Sequence, residues 1–252
     1  MFADLTVAAL IAFGLMFITW LFYLRSKNPG VVDVSWGLGI LLCGQWYLLN
    51  EHISLRIALI SILLLIWGAR LSGFLWYTRV KPNHVEKRYL DIAEGWKVKE
   101  SMGFLANFML QAFLLFFIAL PLLVINKETA LELVDILAIA IVVIGIIGEA
   151  TADYQLYNFK KSSQSGVCNR GLWKYSRHPN YFFEIVTWFG FSLFALREPY
   201  GFIALTAPIL LIIIMRFITG PITERVSLKS KGDAFKKYQE TTSMIIPLPP
   251  KK

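Results

Sequence analysis

Charge is scarce in this sequence. Only 17% of the 252 residues are Asp, Glu, Lys or Arg, whereas a soluble domain needs about a quarter to hydrate its surface. Cysteine and histidine are scarcer still, limited to Cys43 and Cys168 and to His52, His84 and His178. The two cysteines share no metal-ligand spacing, so neither a disulfide framework nor a zinc site is expected. The histidines are too scattered to suggest a metal cluster. Short signatures are missing as well: no Gly-x-Gly-x-x-Gly, no Walker sequence, no His-Glu-x-x-His and no Gly-x-Ser-x-Gly. Soluble nucleotide-binding folds, zinc hydrolases and hydrolase elbows are thereby set aside. No internal repeat, low-complexity tract or linker divides the chain.

What the sequence has in quantity is apolar surface. Hydrophobic residues make up 56% and the mean hydropathy is +0.57, which places the chain among integral membrane proteins. Eight Trp and ten Tyr suit a chain with many membrane–water boundaries, where amphipathic rings settle. About 20 apolar residues cross a bilayer core, and that ruler gives seven spans near 4–24, 32–49, 54–78, 103–125, 130–152, 180–196 and 200–219. MFADLTVAAL lacks the basic start and small-residue cleavage site of a signal peptide, so it is expected to be a retained first span. The expected fold is all-α, one membrane-embedded helical domain over 1–252 with a tail from 220.

Orientation follows from the basic residues. Of the 25 Lys and Arg, all but Arg56, Lys127 and Arg197 fall in loops 25–31, 70–102 and 153–179 and in the chain from 216 onward. The positive-inside rule then puts the N-terminus outside and the C-terminus in the cytoplasm. A net charge of +8 is explained by that topology and by anionic lipids, so no nucleic-acid partner is expected. The long inside segments, 79–102, 153–179 and 220–252, are where a cytoplasm-facing site would be built.

Two neighbouring stretches carry the chemistry. In IIGEATADYQLYNFKK, Glu149, Asp153, Tyr157 and Lys160 or Lys161 recur at helical steps, on one stripe of a helix leaving the membrane. A carboxylate at the depth of Glu149 is expected to face the bundle interior or a wet cavity. Next comes GLWKYSRHPNYFFE. Gly171 permits a tight turn, Arg170, Lys174, Arg177 and His178 form a positive rim, and Pro179 suits the first position of a helix. Asn180, Glu184 and Trp188 then follow on one face. Topology alone accounts for the basic half, but it gives no reason for Asn180 and Glu184. Together the two halves suit an elongated anionic ligand, with cations on phosphates and deeper acceptors on an amide or amine. A nicotinamide dinucleotide fits that division best, and S-adenosylmethionine is the alternative.

In the tail, Gly220-Pro221 is expected to end the last span, and TERVSLKSKGDAFKKYQETT reads as one or two surface helices. Glu224 and Arg225 lie near enough to the membrane exit to cover the same mouth. Met244-Ile245-Ile246 reads as a strip that docks. Nearer the start, Asp33 and Ser35 open the second span and Arg70 lies deep in the third. An acid and a base in adjacent spans invite a pairing. Asn107 and Gln111, one turn apart, read as a helix–helix hydrogen bond or a substrate contact.

With GLWKYSRHPNYFFE, VDVSWG and the IPLPPK ending in view, the chain resembles the DUF1295 group of the steroid 5-alpha-reductase C-terminal superfamily. That resemblance implies a seven-helix, NADPH-dependent membrane reductase. Its active site would face the cytoplasm, and hydride would pass to a C=C bond of an apolar, steroid- or isoprenoid-like substrate entering from the bilayer. It implies cofactor contacts at Asp153, Lys160, Tyr175, Asn180 and Glu184, and basic residues after the third span at Arg79 and Lys81. Arg170, Arg177, His178, Tyr181, Glu224 and Arg225 complete the expected cofactor set, with Asp33 and Arg70 at the substrate end. The protein is expected to be a monomer in the cell inner membrane if its source is bacterial. Steroid reductases of the superfamily carry a Gln-Glu pair in the second span and a Tyr in the third. Here the second span offers Asp33, Ser35 and Gln45, and the third has Trp67. RHPNY also resembles the RHPxY run of isoprenylcysteine carboxyl methyltransferases, which makes S-adenosylmethionine-dependent methyl transfer the alternative activity.

Overall fold

The structure, a computed structural model, describes residues 2–50, 52–128, 130–162 and 166–251. Among these residues every regular element is helical: α1 Phe2–Ser26, α2 Val31–Leu49, α3 Leu55–Leu75, α4 Lys87–Ala93, α5 Glu100–Leu123, α6 Leu133–Lys161, α7 Pro179–Leu193, α8 Thr206–Ile213, α9 Gly220–Lys231 and α10 Asp233–Thr241. Six helical stretches are long and apolar enough to cross a membrane: Phe2–Ser26, Val31–Leu49, Leu55–Val80, Glu100–Leu123, Leu133–Lys161 and Gly201–Lys231. Their outward faces are apolar too, as at Leu10, Ile18, Ile144, Ile147 and Ile209, which is how a helix meets lipid rather than water. By length and composition this is an integral membrane protein. The stretch expected as a seventh span, 180–196, forms the 15-residue α7, about 22 Å long at 1.5 Å per residue and short of a bilayer core.

The chain groups into two compact units. The first holds residues 2–139 and 191–207, the second 140–190 and 208–251. In the first, α2 is the central helix and packs on α1, α3 and α5. Ser54 caps α3 by accepting from the Ile57 amide. At its other end α3 widens into a π-turn, Trp76–Val80, before the chain turns into α4. Asn107 and Gln111 bond to each other: Gln111 Nε2 donates to Asn107 Oδ1 at 2.9 Å within α5. A one-turn spacing lets the two amides satisfy each other without a neighbour.

In the second unit α7 runs back along α6. A Cβ at Gly145 would stand 2.7 Å from the Thr187 nitrogen, and Gly148 lies against the Phe183 ring. Small residues let the backbones approach where apolar burial gives no drive in lipid. Gly220-Pro221 does not end the last helix, which runs on through α9 to Lys231. The π-turn Ile214–Thr219 comes just before, with Gly220 N–H donating to Met215 O. Such a widened turn accommodates the ring and missing donor of Pro221 without breaking the helix. The polar tail then forms two helices, α9 and α10.

Candidate functional site

The α6–α7 pair of the second unit gathers most of the residues singled out from the sequence. Pro179 opens α7, as its fixed φ and missing N–H favour. Gly171 turns at φ +58° against the Gln155 side chain, a conformation costly for any residue with a Cβ. Gln155 Oε1 accepts from Leu172 N at 2.9 Å, and Trp173 Nε1 donates to Ala152 O at 2.9 Å. These two bonds fix the connecting segment on α6. Asn180 Nδ2 then donates to Asp153 Oδ1 at 3.3 Å, and Trp188 Nε1 to Glu184 Oε1 at 3.2 Å. Glu149, Asp153 and Glu184 are all buried, the first and last at 4% exposure. Of the residues expected on one stripe of α6, Glu149 and Asp153 are buried, Tyr157 is half-buried and Lys160 and Lys161 are exposed. Asn180 Oδ1 is itself buried and accepts no hydrogen bond. A buried polar atom normally has a partner, and among the described residues this acceptor has none.

The rim is less uniform than its charge implies. Lys160 and Arg170 are exposed, and Arg170 rests over the Phe159 ring. Tyr175 is exposed under Lys174, and Tyr181 stacks on His178 with centroids 4.8 Å apart. Arg177 turns inward instead. Its Nε and Nη2 fork onto the two oxygens of Glu224 at 2.7 and 3.2 Å, while Nη1 caps the carbonyls of Gln239 and Thr242. His178 Nε2 stands 3.1 Å from Glu224 Oε1, and Gln239 Nε2 donates to Oε2 at 2.6 Å. So Arg177 and His178, expected at a positive rim for phosphate or ribose, and Glu224, expected to cover the same mouth, are engaged with each other; Arg225 is exposed.

Beyond that cluster the tail docks as expected, but mainly through its backbone. Arg177 N donates to Ser243 O at 2.8 Å and Leu248 N to Tyr175 O at 3.0 Å, while Ile246 and Leu248 remain exposed. Tyr238 OH donates back to the Trp173 carbonyl. Burial raises the Tyr238 hydroxyl pKa, and it raises that of the Cys168 thiol as well. Both stay protonated and neutral at neutral pH.

In the first unit the expected Asp33–Arg70 pair does not form. Asp33 takes Arg79, Arg88 Nη2 at 2.6 Å from each oxygen, and Tyr89 OH at 2.7 Å. The reason is position. Asp33 lies in the first turn of α2, where the helix dipole favours a carboxylate, and Arg79, in the π-turn beyond the end of α3, reaches it rather than Arg70. Arg79 also lies 3.7 Å from Glu86, and its carbonyl accepts from Asn28. Lys81 sits over the Tyr77 ring. Burial drives the Tyr89 hydroxyl pKa upward, keeping it a donor to Asp33. Ser35 and Gln45 have structural partners, Thr19 and Ser61. Among the described residues no group of three or more His, Cys, Asp or Glu could hold a metal ion.

A family model described as a protein of unknown function, DUF1295, matches residues 19–242. The chain belongs to the DUF1295 family. This is the steroid 5-alpha-reductase-like group, and no curated protein matches the chain. The DUF1295 match takes in both the Asp33 cluster and the α6–α7 site and stops just before the docked strip from Ser243. Several residues that build these sites gave no signal in sequence. Gln155, Ser176, Gln239 and Tyr89 are ordinary polar residues whose roles depend on partners far along the chain. Asp135, an acid in the first turn of α6, was not singled out either, although the logic that marked Glu149 could have found it.

Proposed function

We propose that this DUF1295 protein is an NADPH-dependent membrane reductase that passes hydride to a C=C bond of a lipid-soluble substrate. The observation that carries the reading is the buried, unpartnered Asn180 Oδ1, an acceptor suited to a carboxamide N–H. Asp153 holds the Asn180 amide by its Nδ2 and so turns the oxygen away from itself. Glu184, one turn further in, adds a buried carboxylate that favours an amide or cationic ring edge. Lys160 and Arg170, exposed at the end of α6 and in the following loop, supply cations for phosphates, with Tyr175 and Tyr181 as flat walls. NADPH, when bound, supplies the hydride; the protein orients it, excludes water and delivers a proton. The apolar substrate enters from the bilayer. The cofactor end faces the cytoplasm, with the N-terminus outside.

The RHPNY run supports a second reading, methyl transfer from S-adenosylmethionine, whose ammonium N–H would also satisfy Asn180 Oδ1. Titration of the purified full-length protein with each nucleotide, read by thermal protection, separates the two. NADPH is expected to protect, and Asn180→Leu to weaken it about tenfold, or ~1.4 kcal/mol. Protection by S-adenosylmethionine alone transfers the assignment to methyl transfer. Protection by neither, or an Asn180→Leu protein that binds NADPH as tightly as wild type, overturns the reading.

A further inference from the structure

Glu224 gathers side chains from the start of α7 and from α10. Four donors converge on its two oxygens: Arg177 Nε and Nη2, Gln239 Nε2 and His178 Nε2. The carboxylate is 7% exposed and His178 5%. A bidentate Arg–carboxylate fork fixes orientation as well as distance, so Arg177 has little freedom to turn toward a ligand. Its remaining nitrogen caps two carbonyls of the chain after α10. The same strand of chain is held again by Ser176 Oγ, which lies 3.2 Å from Met244 O and 2.8 Å from Ile245 O, and by Lys251 N on Thr241 O.

The position of this cluster in the chain matters. Arg177 and His178 immediately precede Pro179 and Asn180. The first hydrogen bond of α7 is Phe182 N to His178 O, at 3.2 Å, and the His178 ring stacks on Tyr181. The residue that bears the unpartnered acceptor is thus seated one turn from a side chain clamped by Glu224.

We infer that Glu224 is a positioning residue: through Arg177 and His178 it sets the start of α7, and with it Asn180, while holding the 242–248 segment in place as a strap. This rests on the reading of Asn180 as a ligand acceptor. Strap and ligand site are then thermodynamically linked, and the linkage is reciprocal. A ligand on Asn180 protects the strap, and a released strap weakens the ligand.

The test uses the full-length protein in detergent, comparing wild type with Glu224→Gln, and with Gln239→Ala as a milder variant should the first fail to fold. Hydrogen exchange without nucleotide is expected to quicken at least tenfold at the amides of Arg177, Phe182 and Leu248. With NADPH, Kd is expected to rise about tenfold while its dependence on salt stays that of wild type, because no phosphate contact is removed. Bound NADPH in wild type slows exchange at Leu248. Unchanged exchange at Phe182, or faster exchange with unchanged Kd, overturns the inference. So does an Arg177→Met protein whose NADPH binding loses salt sensitivity, since that places the guanidinium on a phosphate. Should wild type bind no NADPH, the reductase reading falls separately. The inference is then decided by the Phe182 amide alone, upheld by faster exchange and overturned by none.

Discussion

Two Arg–carboxylate forks, one in each unit, use the same chemistry in different surroundings. In the first unit Arg56 Nε and Nη2 grip Asp135 at 3.0 Å each, and its nitrogens cap the carbonyls of Asn126 and Phe194 at 2.8 and 2.6 Å. The pair is 5% and 1% exposed, and the Glu132 amide also donates to Asp135. In the second unit Arg177 grips Glu224 and caps Gln239 and Thr242 in the same manner, at 11% and 9% side-chain exposure. What differs is the neighbourhood. The Arg56 fork joins helix ends and loops of its own unit. The Arg177 fork leads within three residues to a buried acceptor that has no partner among the described residues. One joins structure to structure, and the other stands beside the acceptor on which the proposed site rests.

The comparison can be broken at its deeper end first. Asp135→Asn takes the bidentate counter-charge from a buried guanidinium and leaves it Glu198 at 3.8 Å, and is expected to cost about 3 kcal/mol, read as a lowered thermal unfolding midpoint in detergent. Replacing both members, Arg56→Met with Asp135→Leu, is expected to recover most of that loss, because no buried guanidinium is left without its bidentate partner. A double variant no better than the single would show that the carbonyl caps carry the stability. Glu224→Gln, nearer the surface, is expected to cost about 2 kcal/mol while impairing ligand binding, which the Asp135 variants that fold should not do.

A third carboxylate sharpens the contrast. Asp33 is shared by Arg79, Arg88 and Tyr89, with the two arginines 22% and 21% exposed. Water can therefore replace part of what Asp33→Asn removes, and the expected loss is about 1 kcal/mol. Nucleotide binding is the second measurement, since unaltered Kd would separate Arg79 from any phosphate. The smallest effect is expected at Gln111→Leu, which breaks one bond inside α5 and should shift stability within about 0.5 kcal/mol.

Much of the fold was legible because its signals are local. A run of apolar residues declares a span without reference to any other part of the chain, and six such runs are membrane-length helices. The steps Glu149–Asp153 and Asn180–Glu184–Trp188 placed these groups on inward faces because helical periodicity fixes a face. Pro179 and Gly171 were readable for the same reason, each restricting its own backbone. Reading failed where a local rule was applied to a distant choice. Gly220-Pro221 looked like a stop, yet the preceding π-turn carried the helix through. Asp33 and Arg70 looked like a pair, yet the π-turn brought Arg79 to Asp33.

Composition, periodicity and the positions of Gly and Pro thus determined by themselves a helical membrane protein with an acid-and-amide face on two helices and a polar tail. Tertiary structure alone decided which charge meets which. Arg56 and Asp135 are 79 residues apart and Arg177 and Glu224 are 47 apart. Every arginine carries the same fork and every carboxylate the same two oxygens. No pattern along the chain distinguishes one partner from another; only packing brings a given pair within 3 Å, and desolvation then makes that pair far stronger than any alternative in water.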